Sequence, residues 1–218
     1  MTTNRSSNFI WIVDYGVGNL GSLRAAFSKL GYETKIALND NDLINANKIV
    51  FPGVGSAKTA MSRIKNDFSQ LVIDSLIQDE SKTLLGICLG MQIFATESLE
   101  NGEIECLDYL KGKVRKLSPE ISQKVPRLGW FPINLINMES EKRFSKLQNF
   151  DKQEFYFAHS YYFDIENPSL VRFDTAQSKI PAMISYKNLI GVQFHPEKSG
   201  KVGLAFLDYI INSNHSRM

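Results

Sequence analysis

Short apolar runs alternate with amphipathic segments along the first ninety residues of the chain. The runs cover residues 9–13, 33–38, 48–51 and 83–87. The run at residues 9–13 is apolar at consecutive positions, which is typical of a strand buried on both faces. The segments between the runs carry apolar residues three and four positions apart, the spacing of helices, and the longest covers residues 57–77. Because strands that alternate with helices pair in parallel, this half predicts a doubly wound, mostly parallel α/β sheet flanked by helices.

From about Leu110 the pattern changes to strand-like pieces separated by Pro, Gly and Asn. The pieces cover residues 113–117, 127–136, 154–165, 170–174, 181–188 and 189–196. They predict an antiparallel extension of the sheet in the C-terminal half, with hairpins. A terminal helix is predicted over residues 201–211. No repeat or linker-like tract interrupts the chain, so we expect a single domain over residues 1–218.

The amino-acid composition argues against several classes of binding partner. Lys and Arg total 25 against 23 acidic residues, a formal charge of +2, which gives no electrostatic reason to expect a nucleic acid or an anionic membrane. No apolar run is long enough to span a bilayer, and the first residues do not resemble a secretory signal. Two cysteines in 218 residues do not make a disulfide framework, so we expect a cytoplasmic setting.

Cys88 is the strongest candidate for chemistry. It follows the buried strand 83–87 and precedes a helical pattern, with Gly86 and Gly90 two residues away on either side. Small flanking residues permit the tight strand-to-helix turn of a nucleophile elbow. The turn places the sulfur at a helix N-terminus, which favours the thiolate. A small buried hydrophobic residue is the alternative for Cys88, and it is the interpretation we adopt for Cys106, which has no flanking glycines.

A thiol nucleophile needs a base, and the chain offers three histidines. His215 lies in the polar tail, and strand alternation places His159 on one face with Phe157 and Tyr161. His195 follows an apolar strand and precedes Pro196, so it is expected at a sheet edge. Glu197, two residues on, can bind the second ring nitrogen and orient the imidazole.

Two glycine-rich turns remain. The turn at residues 52–56 lies between a strand and a helix, and its peptide N–H groups could complete an oxyanion hole opposite the N–H of Leu89. It lacks the lysine and spacing of a phosphate loop. Gly16, Gly18 and Gly21 fit a dinucleotide fingerprint, but no acidic residue closes the following strand. We therefore expect neither a cofactor nor a metal.

Together these residues resemble the class I (triad) glutamine amidotransferases, and more narrowly the glutaminase subunits of imidazole glycerol phosphate synthase, the HisH-like group of histidine biosynthesis. The resemblance covers nearly the whole chain and rests on the stretches DYGVGNL, PGVG, GICLGMQ, HSYY and HPEKS. Met91 favours the HisH-like group, since amidotransferases of the anthranilate and pyrimidine pathways usually carry a histidine there.

The resemblance implies specific roles. Cys88, His195 and Glu197 match the catalytic triad, and Gly53, Val54 and Leu89 match the oxyanion hole. Positions that contact glutamine in the family correspond to Gln92, Glu100, Ser160 and Tyr161. Positions that meet the partner, a (β/α)₈ cyclase that receives the ammonia as a heterodimer with the glutaminase, correspond to Asn19, Trp130 and Lys198.

Two stretches depart from the family pattern, residues 126–131 and residues 56–61. A paralogue that supplies ammonia to another acceptor, such as a surface-sugar amidation system, is therefore an alternative. A cysteine γ-glutamyl hydrolase or peptidase, or a binding module without turnover, are rivals of a different class.

Overall fold

The computed structural model describes residues 9–16, 18–122, 124–136, 144, 146–176 and 180–212. The strands are β1 Phe9–Val13, β2 Glu33–Ala37, β3 Lys48–Phe51, β4 Thr83–Ile87, β5 Ala95–Ser98, β6 Ile104–Glu105, β7 Leu110–Lys116, β8 Arg127–Leu135, β9 Glu154–His159, β10 Tyr161–Ile165, β11 Val171–Thr175, β12 Pro181–Tyr186 and β13 Leu189–Val192. The helices are α1 Leu20–Lys29, α2 Asp40–Ile44, α3 Ala57–Asp67, α4 Gln70–Gln78, α5 Leu89–Gln92 and α6 Gly200–Asn212. None of these helices is long and apolar enough to cross a membrane.

A nine-stranded mixed sheet forms the centre of the fold. Its strand order is β2-β1-β3-β4-β13-β12-β11-β8-β9. The first five strands of this order pair in parallel, and the remaining pairs are antiparallel. The predicted parallel sheet with an antiparallel extension is therefore confirmed. The extension joins through β13, which pairs with β4 and so brings the end of the chain beside the strand that leads into Cys88.

Consecutive apolar residues in the central strands supply two separate cores. Ile49 and Leu84 belong to a core with α3, α4 and a second sheet, whereas their neighbours Val50 and Leu85 belong to a core with α1 and α6. Successive side chains of a strand point to opposite faces, so a strand covered on both sides must be apolar at every position. This is the physical reason that the strands could be recognised in the sequence.

The long helix predicted over residues 57–77 is wrong in one respect, because the chain forms two helices there. Phe68 has extended backbone angles, φ −131° and ψ 132°, and Ser69 caps α4 by accepting a hydrogen bond from the N–H of Val72. The N–H of Ser69 in turn donates to Asp40 at 2.8 Å. The cap and this contact with α2 outweigh the helical periodicity that runs through the break.

A second sheet was not predicted. It has four strands in the order β10-β7-β5-β6 and packs over the core that contains α3 and α4. The segment predicted as one strand-like piece at residues 154–165 divides at Ser160 between the two sheets. His159 therefore shares a buried face with Phe157, as expected, but Tyr161 begins a strand of the other sheet. A single run of alternating residues does not reveal that its two halves pair with different strands.

Two helical glycines give opposite predictions for substitution by alanine. A Cβ at Gly203 in α6 would lie 2.0 Å from the carbonyl oxygen of Pro196, so Gly203→Ala should cost roughly 1–3 kcal/mol of unfolding free energy. A Cβ at Gly21 in α1 would lie 3.7 Å from Oδ1 of Asn19, an ordinary contact. Gly21→Ala should therefore raise the unfolding free energy by about 0.5–1 kcal/mol. Urea unfolding of both variants measures the difference, and equal effects would contradict the packing of α6.

Candidate active site

The elbow between β4 and α5 holds Cys88 in a backbone conformation that side chains rarely adopt. Its φ is +50° and its ψ is −105°, and its N–H donates to the carbonyl oxygen of Val192 at 2.6 Å. The turn is tight because Gly90 lies against β3, where a Cβ would be 2.0 Å from the carbonyl oxygen of Phe51. A non-glycine residue at positive φ stores strain, and such strain is typical of functional sites.

The glycine-rich turn after β3 packs directly on this elbow. A Cβ on Gly53 would lie 1.7 Å from the carbonyl oxygen of Ile87 and 2.7 Å from the nitrogen of Leu89. The three residues expected to form an oxyanion hole, Gly53, Val54 and Leu89, therefore line one cavity with Cys88. The buried Tyr15 hydroxyl donates to the carbonyl oxygen of Pro52, which anchors the start of the turn.

His195 is held at its backbone from both sides. Its N–H donates to the carbonyl oxygen of Tyr156 in β9, and its own carbonyl oxygen accepts from the hydroxyl of Ser199 at 2.6 Å. Ser199 also accepts from the N–H of Tyr156, so β9 and the start of α6 share one hydrogen-bonded link to the histidine. The backbone of His195 is therefore fixed beyond the C-terminal end of β13. The strand itself ends at Val192, before the position of Pro196 where the sequence predicted its end.

The side chain of His195 interacts with both other members of the expected triad. Its Nδ1 donates to Oε1 of Glu197 at 2.8 Å, and both side chains are almost fully buried. Burial lowers the pKa of His195, but its interactions with Cys88 and Glu197 outweigh burial and raise the pKa to about 9. Such a pKa keeps the imidazole protonated at neutral pH. The structure thus brings Cys88, His195 and Glu197 together.

Gln193 also contacts the sulfur, and the sequence reasoning missed it. The side chain is fully buried, and its Nε2 lies 3.4 Å from Sγ of Cys88. Its Oε1 accepts from Nε2 of Gln92 at 3.0 Å, and the same Nε2 donates to the carbonyl oxygen of Tyr161 at 2.9 Å. The feature of the sequence that could have indicated Gln193 is its position, a polar residue directly after the buried strand β13. Because β13 pairs with β4, this position lies beside Cys88.

All four residues expected to contact glutamine line the cavity above Cys88, which has a volume of about 350 Å³. These residues are Gln92, Glu100, Ser160 and Tyr161. Both hydrogens of the Gln92 amide are already used, so a contact with a ligand would use Oε1 of Gln92. Oε2 of Glu100 accepts from the N–H of Ala57 at 2.7 Å, at the start of α3, which ties Glu100 to the glycine-rich turn.

His159 lines the same cavity but is in a different state from His195. Its Nδ1 lies 2.8 Å from the carbonyl oxygen of Tyr161, which can only accept, so Nδ1 carries the proton. Burial is the main reason that the pKa of His159 is lowered to about 4. The nearby charges of Arg127 and His195 lower this pKa further, whereas the hydrogen bond to Tyr161 raises it. His159 is therefore neutral at physiological pH and is not a proton donor of the site.

The residues expected at a partner interface lie around the 3₁₀ turn at residues 196–198. The Lys198 ammonium is 5.9 Å from the ring centroid of Tyr156, and the Trp130 ring packs edge-on against the same tyrosine. Trp130 is 49% exposed. Asn19 caps α1 by accepting from the N–H of Ser22 at 3.1 Å, and α1 packs against the 196–198 turn.

The remaining candidates from the sequence lie away from this chemistry. Cys106 is buried, its sulfur contacts the carbonyl oxygen of Ile104 at 3.6 Å, and burial raises its pKa to about 12. It is a packing residue, as expected. His215 lies outside the described residues.

The low pKa of His159 predicts a loss of stability in mild acid. The unfolded chain takes up a proton near pH 6.5 and the folded chain only near pH 4, so stability falls as pH falls through this window. Relative to His159→Gln, the protein should lose about 2 kcal/mol of unfolding free energy between pH 7 and pH 5. Urea unfolding of both proteins at the two pH values measures this, and parallel curves would mean that His159 is not buried in neutral form.

Comparison with known proteins places this site in a family. The family model for glutamine amidotransferase class-I matches residues 11–208. Proteins named imidazole glycerol phosphate synthase subunit HisH are similar to the chain throughout. The one from Oceanobacillus iheyensis is 42% identical, over 91% of this chain and 96% of the relative. The one from Archaeoglobus fulgidus is 40% identical, over 93% and 98%, and the one from Lactococcus lactis is 37% identical, over 92% and 98%.

Solved structures share the fold at low sequence identity. A glutamine amidotransferase crystal structure matches with a TM-score of 0.71 at 17% identity, covering 92% of this chain and 98% of the other. A glutamine amidotransferase from Thermotoga maritima matches with a TM-score of 0.62 at 17% identity, covering 93% and 82%. The family match, the similarity to HisH proteins and the fold agree with one another: this chain belongs to the class I glutamine amidotransferase family.

Proposed function

We propose that this protein is the glutaminase subunit of an imidazole glycerol phosphate synthase in histidine biosynthesis. It hydrolyses glutamine to glutamate and ammonia and passes the ammonia to a (β/α)₈ cyclase with which it forms a heterodimer. The observation that carries the chemistry is the interaction of a strained, cavity-lining Cys88 with a His195–Glu197 pair at 2.8 Å. The similarity to HisH proteins over more than nine-tenths of the chain supports the pathway.

The first half of the reaction releases ammonia. The Cys88 thiolate attacks the side-chain amide carbon of glutamine, and the carbonyl electrons move to oxygen to form a tetrahedral oxyanion. His195 donates its proton to the amide nitrogen, the carbon–nitrogen bond breaks, and ammonia leaves a γ-glutamyl thioester on Cys88. Glu197 accepts from Nδ1 throughout, so it holds the ring orientation and favours the charged imidazole.

The second half releases glutamate. His195, now neutral, accepts a proton from water as the water oxygen attacks the thioester carbon. Collapse of the second oxyanion expels the Cys88 thiolate and restores the ion pair with His195. Peptide N–H groups of the 53–54 turn and of Leu89 are the candidate oxyanion donors, and each should stabilise the transition state by about 3 kcal/mol.

The cavity residues divide the recognition of glutamine between them. Oε1 of Gln92 and the carboxylate of Glu100 are acceptors suited to the ammonium and amide hydrogens of an amino acid. The hydroxyl of Ser160 can donate a hydrogen bond to the substrate carboxylate. The ring of Tyr161 offers apolar surface to the carbon chain of the substrate. The four residues therefore suit a small zwitterion with a terminal amide.

Control by the partner fits the way in which the glycine-rich turn is anchored. Tyr15 fixes the carbonyl of Pro52, and Glu100 fixes the N–H of Ala57, so both ends of the turn are held. The Gly53–Val54 peptide lies between these anchors, and Val54 is exposed at the cavity. A partner that contacts the turn can reorient this peptide and complete the oxyanion hole, which prevents hydrolysis of glutamine when no acceptor is present.

Exposed apolar side chains, some lining the cavity and some close to them in the chain, supply the docking site for the cyclase. Leu128 lines the cavity and is 62% exposed, and Val54, Val125 and Trp130 are also exposed. Asn19 and Lys198 add polar contacts around the 196–198 turn. Arg127, in the stretch that departs from the family pattern, is buried over the Phe131 ring at 4.3 Å, so that difference is largely internal.

Glutamate release by the purified chain tests the chemistry directly. We expect slow release by the chain alone, a steep increase with the co-purified (β/α)₈ cyclase, and loss of at least a thousandfold in Cys88→Ala, because the nucleophile is absent. Coupled detection of glutamate measures all three.

Cys106→Ala is the matched control, since it removes the other thiol and should retain the activity. Activity that persists in Cys88→Ala, or no glutamate from folded wild-type protein with the cyclase, would overturn the proposal. Hydrolysis of γ-glutamyl peptides by the chain alone, at a rate equal to that of glutamine, would favour the hydrolase class instead.

Partner docking predicts a position-specific effect of a surface charge. Leu128→Asp places a carboxylate among the exposed apolar side chains of the docking site, and the Kd for the cyclase should rise at least tenfold. Ile44→Asp is the control, because Ile44 is also exposed, by 51%, but lies far from the cavity. Its carbonyl oxygen accepts a hydrogen bond from Lys82, which precedes β4, so Ile44 lies near the end of β4 opposite to Cys88. Titration calorimetry distinguishes the two, and equal Kd values for both variants would place the partner elsewhere.

A further inference from the structure

We propose that Gln193 is a catalytic residue whose side-chain amide donates a hydrogen bond to the Cys88 sulfur and stabilises it as a thiolate. The proposal rests on the function above only in taking Cys88 as the nucleophile. Gln193 follows β13 by one residue, two positions before His195, and its Nε2 is 3.4 Å from Sγ. The nucleophile therefore has an uncharged donor besides the imidazole.

The direction of this hydrogen bond follows from the neighbouring groups. The carbonyl oxygen of Tyr161 can only accept, so the atom of Gln92 that lies 2.9 Å from it must be nitrogen. That same nitrogen lies 3.0 Å from one terminal atom of Gln193, which must therefore be oxygen. The other terminal atom of Gln193, next to the sulfur, is then nitrogen. The carbonyl oxygen of Tyr161 thus fixes the orientation of the Gln92 amide, which in turn fixes that of the Gln193 amide, so that an N–H group of Gln193 points to the sulfur.

Burial makes this donor effective. Gln193 is fully buried, its backbone N–H donates to the carbonyl oxygen of Ala182 at 2.9 Å, and Gln92 is 6% exposed. Water has no access to compete for the amide hydrogen, and the side chain has no freedom to turn away. A hydrogen bond to an anion in such surroundings is stronger than one between neutral groups.

The charged and titratable groups around the sulfur leave a distinct task for Gln193. His195 faces the sulfur, Glu197 lies behind His195, and Tyr15 interacts electrostatically with Cys88 from the end of β1. Glu100 lines the cavity. His195 must give up its proton to the departing ammonia, and only an amide keeps its hydrogen in every step. Gln193 therefore stabilises the sulfur both before the attack and as the thioester breaks.

The rate of Cys88 alkylation by iodoacetamide as a function of pH measures thiolate stability without glutamine or a partner. In Gln193→Met, which keeps the side-chain length but has no donor, we expect the midpoint of the rate profile to rise by about one pH unit. Gln92→Met keeps the donor but removes the group that orients it, so we expect a smaller rise in the same direction. Peptide mass spectrometry separates Cys88 from Cys106.

Asn188→Ala is the control, because it removes a buried amide that bonds Leu76 and Asp79 and has no contact with the sulfur. It should lower stability and leave the midpoint unchanged. A folded Gln193→Met with the wild-type midpoint would overturn the proposal. If Gln193→Met does not fold, an unchanged midpoint in Gln92→Met overturns it instead. Failure of the glutaminase function would appear differently, as no glutamate release from a protein with the expected alkylation profiles.

Discussion

The close approach of three backbone segments at the elbow is the constraint on which the site depends. Gly53 lies against the chain on either side of Cys88, and Gly90 lies against the end of β3, at distances that leave no room for a Cβ. Side chains at these positions would push the glycine-rich turn away from the sulfur. The same contacts hold Cys88 at positive φ and bring the N–H of Leu89 beside the turn. The absence of side chains at Gly53 and Gly90 thus allows the glycine-rich turn to lie beside Cys88.

The two buried histidines show how the surroundings assign roles to identical side chains. His195 and His159 both line or adjoin the cavity and are both buried, so desolvation lowers the pKa of each. Interactions with Cys88 and Glu197 outweigh burial and raise the pKa of His195, whereas His159 bonds a neutral carbonyl and its pKa is lowered. The charged state of each histidine therefore follows from the groups that it contacts, which leave His195 protonated and His159 neutral at physiological pH.

Several parts of this arrangement could be predicted from the sequence because they depend on local patterns. Strands covered on both faces must be apolar throughout, so β1, β3 and β4 were recognisable, and the glycines around Cys88 indicated the elbow. The break between α3 and α4 depends on a contact between Ser69 and Asp40, and the second sheet depends on which strands pair. The contact of Gln193 with the sulfur likewise requires β13 to lie beside β4. Long-range pairing of this kind leaves no periodic signal in the chain.

Strands β9 and β10 are separated by one residue, Ser160, and belong to different sheets. Each strand has its own two-residue alternation, with Phe157 and His159 buried on one side of the division and Phe163 on the other. Inserting or deleting a single residue here would exchange the buried and outward faces of a whole strand and displace the cavity wall. The side chains of β9 and β10 that line the cavity can therefore change by substitution. The number of residues in this segment cannot change, because each strand must keep its register in its own sheet.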